Sequence, residues 1–309
     1  MSEYLPEGAL ILTQKNTEYV SSIAGLERAL EAGAIIEAPA VLCDHSFNLH
    51  IEFPCGIRGL ITKSEVADTN GEPIKDIAIL TRVGKTVAFK VVGFDFIGGE
   101  RVARLSRRQA QRECYLNYIS TLTPGDVIRA KITHLESFGA FVDIGCGITS
   151  LLSIDSISVS RISHPSARLS VSDFIYTVVK SIDPSGRIYV TERELLGTWE
   201  ENAAMFSEGE TVRGIVRSVE SYGVFVELTP NLAGLAEYRD DVMPGDIAAV
   251  YIKSIIPEKM KIKLIIIDAE RIPSAPVPLE YFVDTDTVCH IDTWRYSPSS
   301  SEKKIETQF

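Results

Sequence analysis

Alternation of apolar and polar residues is the first signal along the chain. Ile128, Ala130 and Ile132 interleave with Arg129, Lys131 and Thr133. A period of two puts one set on a buried face and the other toward solvent, as in a half-buried strand. Short β-type runs also fill residues 41–43, 49–53, 59–61, 86–92 and 102–105. Helical spacing is confined to brief segments. Val20, Ile23, Leu26 and Leu30 share a face over 17–32, with Asn16 or Thr17 as cap and Gly33 as stop. Residues 106–120, closed by Pro124, and 194 to about 206 read as further helices. The stretch Gly93, Phe94, Asp95, Phe96, Ile97, Gly98, Gly99 reads as a turn between strands.

The pattern repeats. Residues 125–144 recur without a gap as 209–228, and seven of the twenty paired positions are identical. A repeat of this kind means that one small β-unit is used at least twice. Ala130 is matched by Gly214, a small residue that permits strong strand coiling. Five short strands per unit that must hide their edges predict an all-β chain of tandem five-stranded OB-fold barrels joined by short helices. An open β-sandwich is the alternative. The expected organisation is an N-terminal segment and helix (1–32), a first OB-like unit (33–111), a linker helix (112–124), a second barrel (125–193), a linker helix (194–208), a third barrel (209–271) and a C-terminal linker and hairpin (272–309). Pro273, Pro276 and Pro278 mark a stiff linker. Segments 290–296 and 304–309 read as the strands of a hairpin, whose Trp294 is expected to pack against a neighbouring barrel.

Each repeat carries an aromatic–Gly–x–Phe–Val core: Phe138, Gly139 and Phe141 in one, Tyr222, Gly223 and Phe225 in the other. Strict alternation would put the two rings on opposite faces. A bulge at the glycine would bring both outward, with Val142 and Ile144 inward and Asp143 or Glu227 outward beside the second ring. Paired exposed rings form a platform for unpaired bases, each stack contributing about 1–3 kcal/mol. The competing reading is that both rings are core.

These spaced motifs resemble the S1 RNA-binding domain, the OB-fold repeat of the largest protein of the bacterial small ribosomal subunit. The family is also found appended to exoribonucleases and initiation factors. The resemblance covers 125–193 and 209–268, and the three-repeat layout is similar to short S1-type ribosomal proteins of Gram-positive anaerobes. It implies stacking by Phe138 and Phe141 and by Tyr222 and Phe225. It also implies an acidic–basic pair at Asp183 and Arg187, with Lys261 in the basic place of the third unit and Ile256 in the acidic one. A family histidine is replaced by Ser153 and by Glu237. In the first unit Ser46, Phe47, Asn48, Leu49, His50 and Ile51 align with 137–142. Asn48 then stands for the glycine, as a residue that tolerates the left-handed region, and Phe47 and His50 stand for the rings. In the long ribosomal form a divergent first repeat docks on a ribosomal partner, which implies a protein-binding role for this first unit.

Composition narrows the mode of binding. The net charge of −11 argues against coating duplex DNA by bulk charge, though not against single strands, where stacking supplies much of the affinity. Arg101, Arg104, Arg107, Arg108 and Arg112 form either a phosphate-tracking patch or an ordinary ion-paired helix face. Arg129, Lys131, Arg161 and Arg168 could flank the second platform, and Arg213, Arg217, Lys253, Lys259, Lys261 and Lys263 the third.

Five scattered cysteines and five dispersed histidines show no metal-ligand spacing, so no metal or cofactor is expected. Unpatterned thiols, no signal peptide and no membrane-length apolar run point to the cytoplasm. No catalytic motif is present, so no enzyme is expected. The favoured function is non-catalytic binding of single-stranded RNA, mRNA in particular, at or near the small ribosomal subunit, whose proteins are candidate partners. The alternative is a protein-interaction scaffold of degenerate barrels attached to the ribosome or to RNA-decay machinery.

Overall fold

A computed structural model describes residues 4–69, 71–271 and 279–309. The linker prolines Pro273, Pro276 and Pro278 lie outside the described residues. Among the described residues the sheets close into three five-stranded barrels, followed by a two-stranded hairpin.

The N-terminal helical segment is two helices, α1 (Gln14–Val20) and α2 (Ile23–Glu31), where the periodicity predicts one. Ser22 interrupts it: its backbone is extended and its hydroxyl caps α2 by accepting from Gly25 N. The helices then cross so closely that a Cβ on Gly25 would lie 2.5 Å from the carbonyl oxygens of Glu18 and Tyr19. The cap of α1 is Thr13, ahead of the expected positions. Asn16 is buried instead, exchanging two hydrogen bonds with the backbone of Glu37.

The first barrel comprises β1 (Ile35–Cys43), β2 (Leu49–Glu52), β3 (Arg58–Ile61), β4 (Thr86–Ile97) and β5 (Glu100–Ser106), with the short helix α3 (Asp76–Leu80) before β4. Its core is filled by Leu49, Ile51, Ile61, Phe89 and Leu105. The turn expected over 93–99 is mostly strand. β4 continues to Ile97, and only Gly98 and Gly99, both at positive φ, reverse the chain. Helix α4 (Arg107–Asn117) follows, capped by the Ser106 hydroxyl.

The second barrel comprises β6 (Val127–Glu136), β7 (Gly139–Asp143), β8 (Thr149–Ser153), β9 (Phe174–Ile182) and β10 (Ile188–Thr191). Ile128, Ala130 and Ile132 point into its core, as the alternation requires. Where one linker helix was expected, the chain forms a 3-10 turn (Arg193–Leu196) and helix α5 (Trp199–Ala203). Gly197, at φ 81, breaks the path, and Thr198 with Glu201 restarts it through a reciprocal capping box.

The third barrel comprises β11 (Thr211–Glu220), β12 (Gly223–Thr229), β13 (Leu232–Ala236), β14 (Ile247–Ile256) and β15 (Lys261–Glu270). Gly214 is required by crowding: a Cβ there would lie 2.5 Å from Val226 Cγ1. The C-terminal hairpin is β16 (Thr293–Arg295) with β17 (Glu306–Gln308). Trp294 and Tyr296 are buried with Trp199 in the core cluster of the third barrel, which settles where the tail packs.

Glu192, just after β10, is buried and accepts a 2.9 Å bond from the Tyr281 hydroxyl. Its second oxygen has no bonding partner among the described residues. Burial pushes this carboxyl up to about 8. Between the ordinary glutamate range and pH 8 the folded state therefore holds a proton that the unfolded state has lost, so stability falls as pH rises through that window. Thermal melts at about pH 5 and pH 8 should show the native chain losing more stability than Glu192→Gln. Equal losses would mean that the group is ionised in the fold.

Candidate nucleic-acid interface

Within β7, Ala140 and Val142 are fully buried while Phe141 points outward; within β12, Val224 and Val226 are buried while Phe225 points outward. The first ring of each pair is supplied by a tight turn. Glu220 pairs directly with Gly223, so Ser221 and Tyr222 form a two-residue hairpin loop. Phe138 holds the same place between β6 and β7. The Phe138 and Phe141 rings meet edge to face, 6.0 Å apart at 88°. Tyr222 and Phe225 repeat this at 6.1 Å and 87°. Phe138 is 52% exposed and Tyr222 68%, which rejects the core reading for the leading rings.

The bulge is not at the glycine. In the third barrel the register slips between Val216 and Ser218 on β11, while β12 runs unbroken from Gly223 through Glu227. The glycine answers a different demand, close backbone approach. A Cβ on Gly139 would collide with the Leu152 carbonyl oxygen, and one on Gly223 with that of Ala236.

The bulge explains a ring that simple alternation hides. It turns both Arg217 and Ser218 outward, and Ser218 pairs with Phe225. The residue matching Ser218 in the second barrel is His134, whose imidazole lies nearly parallel to Phe141 at 6.5 Å and 20°. It is exposed and bonds Glu136 at 2.8 Å. Sequence reading counts His134 among dispersed histidines; its place four residues before Phe138 was the available signal.

Across the third barrel one row runs Ser218, Phe225, Leu235, Lys263. Lys261 lies two residues earlier on the same strand and is exposed. In the second barrel Tyr189 pairs with Leu151 as Lys263 pairs with Leu235, so a tyrosine occupies the lysine's place. Asp183 is committed to the turn between β9 and β10, where one oxygen accepts from Ser185 Oγ, Ser185 N and Arg187 N. The Ser185 hydroxyl and the Arg187 amide hold its carboxyl below the ordinary range. Arg187 is exposed immediately before β10, two residues ahead of Tyr189.

In the first barrel Phe47, not Asn48, takes the left-handed conformation, at φ 61. Asp44 dictates this by accepting from Ser46 N, Asn48 N and Asn48 Nδ2. Asp44 also holds His50 Nε2 at 3.0 Å. Phe47 packs against the barrel core and carries Lys63 Nζ 4.5 Å above its ring. These two side chains are therefore engaged within their own barrel.

Most of the arginine cluster is paired. Arg101 meets Glu27, Arg104 meets Asp95 and Arg108 meets Glu65. Arg107 is 1% exposed and bonds Glu7, Val66 O and Gly147 O. Asp143 and Glu227, expected outside beside the rings, are buried because distant segments cover them. Asp143 accepts from the backbone of Glu7, Gly145 and Gly147; burial and the Glu7 carboxylate push its carboxyl up. Glu227 accepts two bonds from Arg168, itself buried, and two from Arg217. Burial alone would raise the Glu227 carboxyl, but the two guanidiniums hold it below its ordinary value. Arg168 and Arg217 thus serve the acid and do not flank the rings as free cations. Replacing Glu227 by Ala strands Arg168 in the interior, a change that typically costs about 3–5 kcal/mol. Urea unfolding should show a loss of that order, whereas Glu220→Ala at an exposed site should cost little.

Among the described residues no cluster of three or more potential ligands could hold a metal ion, and no helix is long and apolar enough to cross a membrane. Residues 121–191 match the family model of the S1 RNA binding domain. The small ribosomal subunit protein bS1 of Staphylococcus aureus strain N315 is 27% identical over 240 residues, 75% of this chain and 58% of the relative. That of Staphylococcus saprophyticus is 25% identical over 299 residues, 91% of this chain and 71% of the relative. The chain thus spans a little over half the length of the Staphylococcus aureus relative. A multidomain protein with nucleic acid binding domains from Streptococcus pneumoniae aligns with TM-score 0.26 and 14% identity over 76% of this chain and 74% of that one. Residues 121–191 thus match the S1 RNA binding domain, in a chain similar over most of its length to bS1 proteins.

Proposed function

We propose that this chain is a non-catalytic, cytoplasmic protein that binds single-stranded RNA, holding unpaired mRNA at the small ribosomal subunit. The observation that carries the reading is the paired outward rings, built twice with nearly the same geometry, at 6.0 and 6.1 Å. Bases that have lost their partners offer apolar faces, and exposed rings recover that stacking whatever the sequence. Arg187 immediately precedes the strand carrying Tyr189, and Lys261 begins the strand carrying Lys263, within reach of a backbone whose bases lie on the rings. Low sequence preference follows, because every base has a stackable face. Two sites on one chain raise avidity through effective concentration. The names of the bS1 relatives support a place in translation.

A second reading concerns the first barrel. The Asp44 bonds to His50 and the Lys63 cap on Phe47 favour a protein-docking role for it over RNA contact.

Titration of fluorescent oligouridylate tests the RNA-binding reading. Loss of two stacking rings at about 1–3 kcal/mol each predicts that Phe138→Ala with Phe141→Ala weakens binding at least about tenfold, with thermal unfolding unchanged. Affinity unchanged at both low and physiological salt rejects the proposal for the second barrel. If RNA is not bound at all and ribosomal proteins are retained in a pull-down, the scaffold reading replaces it.

A further inference from the structure

The second and third barrels share a platform but not its surroundings, and the differences run in one direction. Resting on the RNA-binding reading above, we infer that the two barrels bind the same strand by different physics: the second chiefly by stacking, the third chiefly by phosphate neutralisation.

Two matched positions carry the contrast. At the outward position opened by the bulge, the second barrel has His134, stacked on Phe141 at 6.5 Å; the third has Ser218. On the final strand, at the place that pairs in parallel with Leu151 or Leu235, the second barrel has Tyr189 and the third has Lys263. The second barrel therefore adds two rings to the pair common to both. The third adds a cation in the row of Phe225 and keeps a polar gap where a ring could sit.

The flanking hairpins follow the same division. The β14–β15 hairpin carries Lys253, Lys259, Lys261 and Lys263, all exposed. The β9–β10 hairpin carries Lys180 and Arg187, and Lys180 is bonded to Ser156 Oγ. Glu220, Glu237 and Glu258, all exposed, reduce the positive field beside the third platform, where the four lysines of the β14–β15 hairpin still outnumber them. Each phosphate neutralised on a single strand releases condensed counterions and steepens the fall of log K with log salt by about 0.7, whereas stacking adds little to that slope. The third barrel would thus grip strongly at low salt and release as ionic strength rises. The second would hold across that range.

The test uses the full chain with one platform removed at a time. Phe138→Ala with Phe141→Ala leaves the third barrel; Tyr222→Ala with Phe225→Ala leaves the second. Each is titrated with a short oligouridylate across a series of potassium chloride concentrations, at about pH 8.5, above the ordinary imidazole range. The expected result is a steeper slope for the third barrel, by about 0.7 or more. Lys263→Tyr in the third-barrel protein should lower its slope by about 0.7, and Tyr189→Lys in the second-barrel protein should raise its slope by as much. Lys263→Gln, a gentler change at the same exposed position, should match Lys263→Tyr in slope. Equal slopes for the two single-platform proteins, or slopes unmoved by these substitutions while RNA is still bound, overturn the inference alone. An intact chain that binds no RNA at any salt overturns the function on which it rests.

Discussion

Everything at the proposed interface depends on how closely two strands approach beside one glycine. At Gly139 and at Gly223 the space of a side chain is taken by the carbonyl oxygen of the neighbouring strand. On the opposite side of β12 from that approach, the hairpin closes in two residues, so β12 starts directly opposite the end of β11. The turn residue then stands over the outward residue two positions beyond the glycine. Ring pairing is a consequence of backbone packing, which is why the same edge-to-face geometry arises with Phe in one barrel and Tyr in the other. The first barrel lacks the glycine. It reaches its turn through a left-handed Phe47 tied down by Asp44, and its rings are spent on local contacts.

The acidic composition fits a nucleic-acid surface because several of the acids are not on the surface. Glu7, Glu37, Asp143, Glu192 and Glu227 are buried. Burial pushes Glu37 up to about 7 and Glu192 to about 8, so these carboxyls add less negative charge near neutrality than a count of residues implies. Buried charges survive only when they are matched: Arg107 answers Glu7 within the N-terminal unit, and Arg168 with Arg217 answers Glu227 between the second and third barrels. The Arg168 contact also joins the loop before β9 to the outer face of β12, so the third barrel's platform strand is braced by its neighbour.

The barrels were legible in the sequence because strands alternate with a period of two, and the repeat showed that Gly125 and Gly209 begin equivalent units. The ring pairs were legible because the intervening glycine is kept in both copies. Their mechanism was not: a two-residue turn and a bulge one strand away look, in sequence, like a bulge at the glycine. The same slip hid His134, since parity counted from Ile132 puts it inward. The burial of Asp143 and Glu227 was not legible because their partners lie far along the chain, Glu7 at 136 positions and Arg168 at 59. The paired state of Arg101, Arg104 and Arg108 was foreseen as one of two readings, and their carboxylate partners decide it.

The most direct measurement is aromatic side-chain NMR of the full chain as single-stranded oligouridylate is added. Bases lying on the platforms shift the ring resonances of Phe138, Phe141, Tyr222 and Phe225 strongly, and leave Phe47, held within the first barrel, near its starting position. Saturable binding that leaves those four rings unmoved and perturbs Phe94 or Phe96 instead would contradict stacking on the platforms as the basis of recognition.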